Sequence, residues 1–239
     1  MCAAGGNYRE SPPGGESMKV ILFGATGMVG QGVLEECLRD PGVASVLSIG
    51  RHPGGRQHPK LREIVHRDFA DFMAIEGELT GYDACFFCLG ISSLGMSADE
   101  YERVTYEFTL AAAQTLARLN PGMTFIYVSG AGTDSSERGG SRWARVKGRT
   151  ENAIFRLPFK AAYAFRPAYI QPLGGIVPKT AWLRALYAVL GPLYPVWKAL
   201  FPKYVTTTAQ VGRAMIRVAR EGAAKPVLEN RDINEMGSL

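Results

Sequence analysis

From Lys19 onward, short runs of apolar and β-branched residues alternate with longer amphipathic stretches. Short apolar runs suit strands, and apolar positions recurring at helical spacing suit helices. Their regular alternation is the sequence form of β-α-β units around a parallel sheet. The pattern predicts strands near 19–23, 45–49, 63–66, 83–88, 123–128 and 162–166, with helices near 28–39, 70–77, 98–119 and 142–155. The longest helical stretch, ADEYERVTYEFTLAAAQTLARL, opens on acidic residues and stops at Asn120-Pro121-Gly122, as helix-end chemistry requires. No internal repeat is present.

Beyond Pro167 the character changes. TAWLRALYAVLGPLYPVWKALF is rich in leucine and aromatics and is broken by Gly191, Pro192 and Pro195. Its two prolines and its internal Arg184 and Lys198 argue against a bilayer span. Three roles remain for 181–201, in this order: a lid over a pocket, a homodimer face, or contact with a membrane surface. The later TTAQVGRAMIRVAREG is an amphipathic helix with a core-facing stripe. The expected architecture is α/β: a Rossmann-type doubly wound parallel sheet with a small, mostly helical C-terminal substrate lobe. Residues 1–17 form a loose Gly/Pro/Ser-rich extension, 18–170 the core, and 171–239 the lobe packed on it, within one domain overall.

Composition narrows the function classes. With 46% hydrophobic and 21% charged residues, the chain is a soluble globular one rather than disordered or fibrous. A net charge of +5 without a basic stripe interleaved with aromatics excludes nucleic acid as the expected partner. The three histidines, His52, His58 and His66, show no metal-ligand pairing, so no metal site is expected. Cys85 and Cys88 form a C-x-x-C, but on a strand positions i and i+3 face opposite sides, which makes them packing residues. With four cysteines and no secretory signal, the default compartment is cytoplasmic.

The strongest local signal is VILFGATGMVGQGVLEECL, a strand running through Gly24, Thr26, Gly27, Met28, Val29 and Gly30 into a helix. Glycines let the main chain turn sharply and approach a pyrophosphate, whose charge the first N–H groups of the helix then hold. The second strand ends in Gly50-Arg51-His52 with no carboxylate. An acidic residue there selects NAD through the ribose 2′-hydroxyl, whereas an arginine accommodates a 2′-phosphate, so Arg51 favours NADP(H) over NAD(H). Asp68 and Phe69 are placed to bracket adenine, and Leu89 and Gly90 lie where the nicotinamide ribose passes.

Taken together, GATGMVG, YVSGAG, RVKGRTEN, FRPAYIQP and LENRDINEMG resemble the atypical short-chain dehydrogenase/reductases, in particular the Tat-interacting-protein oxidoreductases and their epimerase-like bacterial relatives. The set spans nearly all of residues 18–239, and its order and spacing carry the match. The resemblance implies that a tyrosine moves the proton while hydride moves to or from nicotinamide. A lysine lowers that tyrosine's pKa and holds the ribose, a serine orients the carbonyl, and an asparagine supports the lysine through water. The lysine matches Lys147. The tyrosine place holds Trp143, the serine place is most simply Gly130 with Ser129 one position early, and the asparagine place is Thr105. Main-chain groups after Pro167, from Ala168 through Tyr169 to Ile170, meet the nicotinamide amide in the family.

The cofactor half of the pattern is therefore present and the proton-handling half largely absent, since an indole N–H only donates. Ser129, Ser135, Ser136 or Tyr169 could substitute, and Lys147 with Ser129 are the catalytic candidates. The expected function is an NADP-dependent oxidoreductase acting on a small, fairly apolar carbonyl or alcohol. The competing expectations are a non-catalytic NADP(H)-binding sensor or scaffold for a protein partner and, behind both, a peripheral membrane protein.

Overall fold

The computed structural model describes residues 17–91, 95–176, 194 and 200–238. Seven parallel strands form one sheet: β1 (Met18–Phe23), β2 (Val43–Gly50), β3 (Leu61–Val65), β4 (Ala84–Phe87), β5 (Thr124–Val128), β6 (Ala161–Arg166) and β9 (Val227–Glu229). They lie in the order β3-β2-β1-β4-β5-β6-β9. Strand order reverses between β1 and β4, which opens a crevice at their C-terminal ends, the position where doubly wound sheets take ligands. Two three-residue strands, β7 (Tyr169–Gln171) and β8 (Val205–Thr207), pair in parallel as a separate small sheet.

Alternation along each strand fills two layers. On one face Val20, Leu22, Phe86, Ile126 and Phe165 pack with α1 (Met28–Arg39), α5 (Thr208–Glu221) and α6 (Asn230–Gly237). On the other, Ile21, Phe23, Cys85, Phe87, Phe125 and Tyr127 pack with α3 (Phe108–Leu119) and with Ile154 of α4 (Arg142–Phe155). Cys85 belongs to the second layer and Cys88 packs against the first, so the two thiols face opposite sides, as strand geometry requires.

The Rossmann-type parallel sheet is as expected, and α1 and α4 occupy the predicted spans. Three differences have local causes. The helix expected near 70–77 is a short 3₁₀ turn, Met73–Glu78. Asp68 Oδ1 accepts from the Ala70 amide at 2.9 Å and Asp71 Oδ1 from the Met73 amide at 2.8 Å, and these side chains satisfy N–H groups that a helix would have recruited. The long helix is α2 (Ala98–Glu102) and α3 joined by a π turn over Arg103–Glu107. Finally, part of the expected C-terminal lobe returns to the core: β9 extends the main sheet beside β6, and α5 lies against α1. The 1–17 extension, except residue 17, and most of 181–201 lie outside the described residues.

Asn120 ends α3 and locks it to the preceding loop. Its Oδ1 accepts from the Gly81 and Tyr82 amides at 2.8 and 3.1 Å, and its Nδ2 donates to the Leu79 carbonyl at 2.8 Å. Replacing Asn120 with Ala orphans three buried or half-buried main-chain groups, and we expect a loss of about 2–3 kcal/mol in urea unfolding.

Candidate functional site

The six strand exits of the predicted pattern lie along one edge of the sheet. At β1, Gly24 adopts φ +79, and a Cβ on it would come within 2.7 Å of the Cys88 carbonyl group. A Cβ on Gly30 would stand 2.0 Å from the Gly24 oxygen, so the helix can only begin this close to the strand because both positions lack side chains. Gly27 caps α1 without a side-chain partner, and no acidic residue occupies the first turn. The first-turn N–H groups around half-buried Met28 and Val29 therefore keep their positive end for an incoming anion. Thr26, also half-buried, is held by a 3.1 Å bond from Gln31 Nε2 to its carbonyl.

Arg51 follows β2, exposed, with no ion pair among the described residues. Its neighbour in sequence Arg56 is, by contrast, occupied by Glu35 at 2.5 Å. A cavity of about 480 Å³ lies beside Thr26, walled by Glu35, Arg56, Glu63 and Leu173; neither Lys147 nor Trp143 reaches it. Leu89 is half-buried at the β4 exit and Gly90 is exposed. Asp68 is exposed and caps its own turn. Phe69 departs from expectation: it is 1% exposed and packs edge-on against Phe23 and Phe72 in the second core layer. Its ring is spent on the core and cannot bracket an adenine.

The chemical end is assembled by β5, β6 and α4. Glu151, on the fourth residue after Lys147, is fully buried. It accepts from Ser129 Oγ at 2.5 Å, from Arg166 Nε at 3.0 Å and from Arg166 Nη2 at 2.5 Å. Arg166 reaches on to Glu229 at 3.3 Å, and its pKa is held above the ordinary value first by its bond to Glu151. A 4% exposed Ser129 whose hydroxyl is given to Glu151 cannot orient a carbonyl, which corrects the catalytic expectation for that residue. The other substitutes are engaged too. Ser135 Oγ accepts from Arg166, Ser136 Oγ donates to Asp134, and the Tyr169 hydroxyl donates to Gln171 at 2.8 Å.

Lys147 is half-buried, and its Nζ donates to the Ser129 carbonyl. Burial lowers its pKa from 10.5 to about 8, and Glu151 opposes that shift only in part. The Trp143 ring lies 6.0 Å from Nζ and is flattened against Gly132. Gly130 has φ +133, a conformation that a serine adopts only with strain, and its missing side chain leaves space 3.5 Å from Nζ. Thr105 sits in the π turn, where its carbonyl accepts from Thr150 at 3.4 Å; no described bond joins it to Lys147.

Pro167 is buried, with its carbonyl accepting from the Ala131 amide at 2.9 Å. The next amide, Ala168, donates to the side chain of Asn230 at 2.9 Å, and Tyr169 enters β7. Sequence reasoning missed Glu151 and Asn230. The first was detectable as a carboxylate one helical turn beyond Lys147; the second comes from 62 positions further along the chain and gives no local signal. Among the described residues there is no cluster of His, Cys, Asp or Glu that could hold a metal, and no helix long and apolar enough to cross a membrane.

A switch-point crevice, a glycine-cradled helix start and a lysine at the β5–β6 exits define a protein of the Rossmann type. Comparison with known proteins narrows this further. No family model matches the chain. Protein HTATIP2 of Rattus norvegicus is 26% identical over 93% of this chain and 90% of its own length. Protein fmp52-2, mitochondrial, of Aspergillus oryzae is 25% identical over 90% and 95%. Among solved structures, the fold is similar to the Bordetella bronchiseptica enzyme WbmF in complex with NAD+, with a TM-score of 0.65 at 16% identity, covering 92% of this chain and 77% of that one. A UDP-N-acetylglucosamine 4-epimerase from Methanobrevibacter ruminantium aligns with a TM-score of 0.63 at 15% identity, covering 90% and 76%. These matches bear out the resemblance to the atypical short-chain dehydrogenase/reductases drawn from the sequence motifs.

Glu151→Gln leaves the Arg166 guanidinium, 11% exposed, without its buried counter-charge. We expect it to cost about 3 kcal/mol in chemical unfolding, whereas Glu229→Gln, at a half-exposed carboxylate, costs under about 1 kcal/mol.

Proposed function

We propose that the chain binds a nicotinamide dinucleotide, NADP(H) in preference to NAD(H), and works as an oxidoreductase on a small, fairly apolar carbonyl or alcohol. The single observation carrying the reading is the edge of the sheet between Gly24 and Arg51. There, a helix start with unclaimed N–H groups stands one strand from an exposed guanidinium without a carboxylate partner. The amides suit a diphosphate and the guanidinium suits the extra phosphate of NADP. Support for the cofactor also comes from WbmF, which was solved with NAD+. When bound, the cofactor would supply or accept the hydride, Gly24 to Gly30 would hold its diphosphate, and Lys147 would hold the ribose near nicotinamide. The compartment we propose is the cytoplasm, in keeping with buried free thiols at Cys37 and Cys85, although the fmp52 relatives carry a mitochondrial name.

Calorimetric titration with NADPH and NADH tests this reading directly. NADPH is expected to bind more tightly, and Arg51→Ala to weaken it by about 10–100-fold, the worth of one charge-assisted contact, while leaving NADH nearly unchanged. Absence of heat with either nucleotide sinks the proposal.

A second reading is favoured by Trp143. With an indole in the tyrosine place, the chain would be a non-catalytic NADP(H)-binding module whose cofactor state alters contacts with a protein partner. Trp143→Tyr separates the two: reductase activity gained by the variant and missing from the parent across a carbonyl panel favours the module.

A further inference from the structure

Among the described residues, the hydroxyls weighed as replacements for the missing tyrosine are all engaged. Ser129 donates to Glu151, Ser136 to Asp134 and Tyr169 to Gln171, and Ser135 holds Arg166. Two of the three departures from the pattern of the proteins it resembles, Trp143 and Gly130, lie beside one atom, Lys147 Nζ. Among the described residues, no carboxylate forms an ion pair with Nζ. On α4 the acid that acts on it is Glu151, whose oxygens are taken by Ser129 of the β5 exit and Arg166 of β6. Arg166 in turn shares its charge with Glu229 of β9. From the β5 exit the Ser129 carbonyl accepts from Nζ, and the Trp143 ring lies 6.0 Å from it. The ammonium is thus desolvated without being neutralised, the condition under which a lysine releases its proton near neutral pH.

We propose that Lys147 Nζ is the proton donor and acceptor of the cleft, taking over the task that the tyrosine hydroxyl has in the proteins this chain resembles. The inference rests on the oxidoreductase reading above. In reduction, the carbonyl carbon gains an electron pair with the hydride supplied by the reduced nicotinamide, and the C=O π pair moves onto oxygen. An N–H bond of the Lys147 ammonium breaks as the new O–H bond forms, leaving a neutral amine that recovers its proton from water. Oxidation of the alcohol runs the same steps backwards, with the neutral amine as base. Trp143 lies to one side of the amine, and Gly130 leaves room beside it for the reacting oxygen.

Two measurements on the full chain test this. In the first, competitive acetylation of the cofactor-free protein is followed residue by residue by mass spectrometry from about pH 6 to about pH 11, spanning the ordinary lysine range. Lys147 is expected to reach half-reaction near pH 8, below the ordinary lysine range. In the second, NADPH-dependent reduction by the wild-type protein is expected to fall as pH rises past about 8, where the ammonium is lost. Lys147→Arg, which stays charged, should bind NADPH within a few-fold of wild type, lose about 100-fold in kcat and lose that descending limb. Acetylation of Lys147 in step with the exposed lysines, or a Lys147→Arg enzyme with the wild-type kcat and pH limb, overturns the inference. The two readings fail separately: a wild-type protein that binds NADPH and reduces no carbonyl removes the oxidoreductase reading, whereas an active wild type with an ordinary Lys147 removes this inference alone.

Discussion

The buried carboxylate of Glu151 is the contact on which the chemical end of this protein depends. It draws together α4, through its own main chain, the β5 exit, through Ser129, and β6, through a two-nitrogen grip from Arg166. Arg166 carries the tie outward to Glu229 at the end of β9. A charge placed this far from water is tolerable only when its lone pairs are occupied, and here three donors occupy them. The same saturation decides the state of Lys147. One helical turn away, the lysine meets an anion whose field is already compensated, so burial governs its proton affinity.

The two halves of the site use different physics. The glycine-loop half relies on main-chain geometry: a left-handed Gly24, a helix pressed against it at Gly30, and amides left open at the start of α1. Such a device is insensitive to most side-chain changes around it. The chemical half depends on individual side chains, and these diverge without disturbing the fold. Trp143 fits because Gly132 has no side chain, whose Cβ would come within 3.3 Å of the indole ring, and Gly130 fits because the strand exit there takes a positive φ. The departure at Gly130 is thus tied to backbone conformation, and a serine at that position would require the β5–β6 exit to be rebuilt.

How much was legible beforehand follows from the length and regularity of each element. Helices α1 and α4 announce themselves, because 12 and 14 residues of consistent periodicity leave few alternatives, and the six apolar-rich residues of β1 run straight into the glycine loop. The 70–77 stretch has helical composition but carries Asp68 and Asp71, whose side chains outcompete helix formation through bonds visible only once the turn is built. Strands β7, β8 and β9 hold three residues each, too short for alternation to register, and they exist because partners elsewhere present matching edges. Phe69 shows the same limit at the site. Its place after the third strand was readable from the sequence, but the direction of its ring was settled by the aromatic cluster around Phe23 and Phe72.

By itself the sequence determined the class of fold, the place of the glycine loop, the arginine at the second strand exit and the substitution of tryptophan for tyrosine. These are properties of local composition and of spacing along the chain. Tertiary structure alone decided that Glu151 claims the Ser129 hydroxyl, that it meets Arg166, that Asn230 claims the Ala168 amide, and that Lys147 donates to the Ser129 carbonyl. Each of those outcomes depends on groups 15 to 62 residues apart reaching bonding distance. That proximity follows from the packing of α4, α6 and the sheet, which no window along the chain contains.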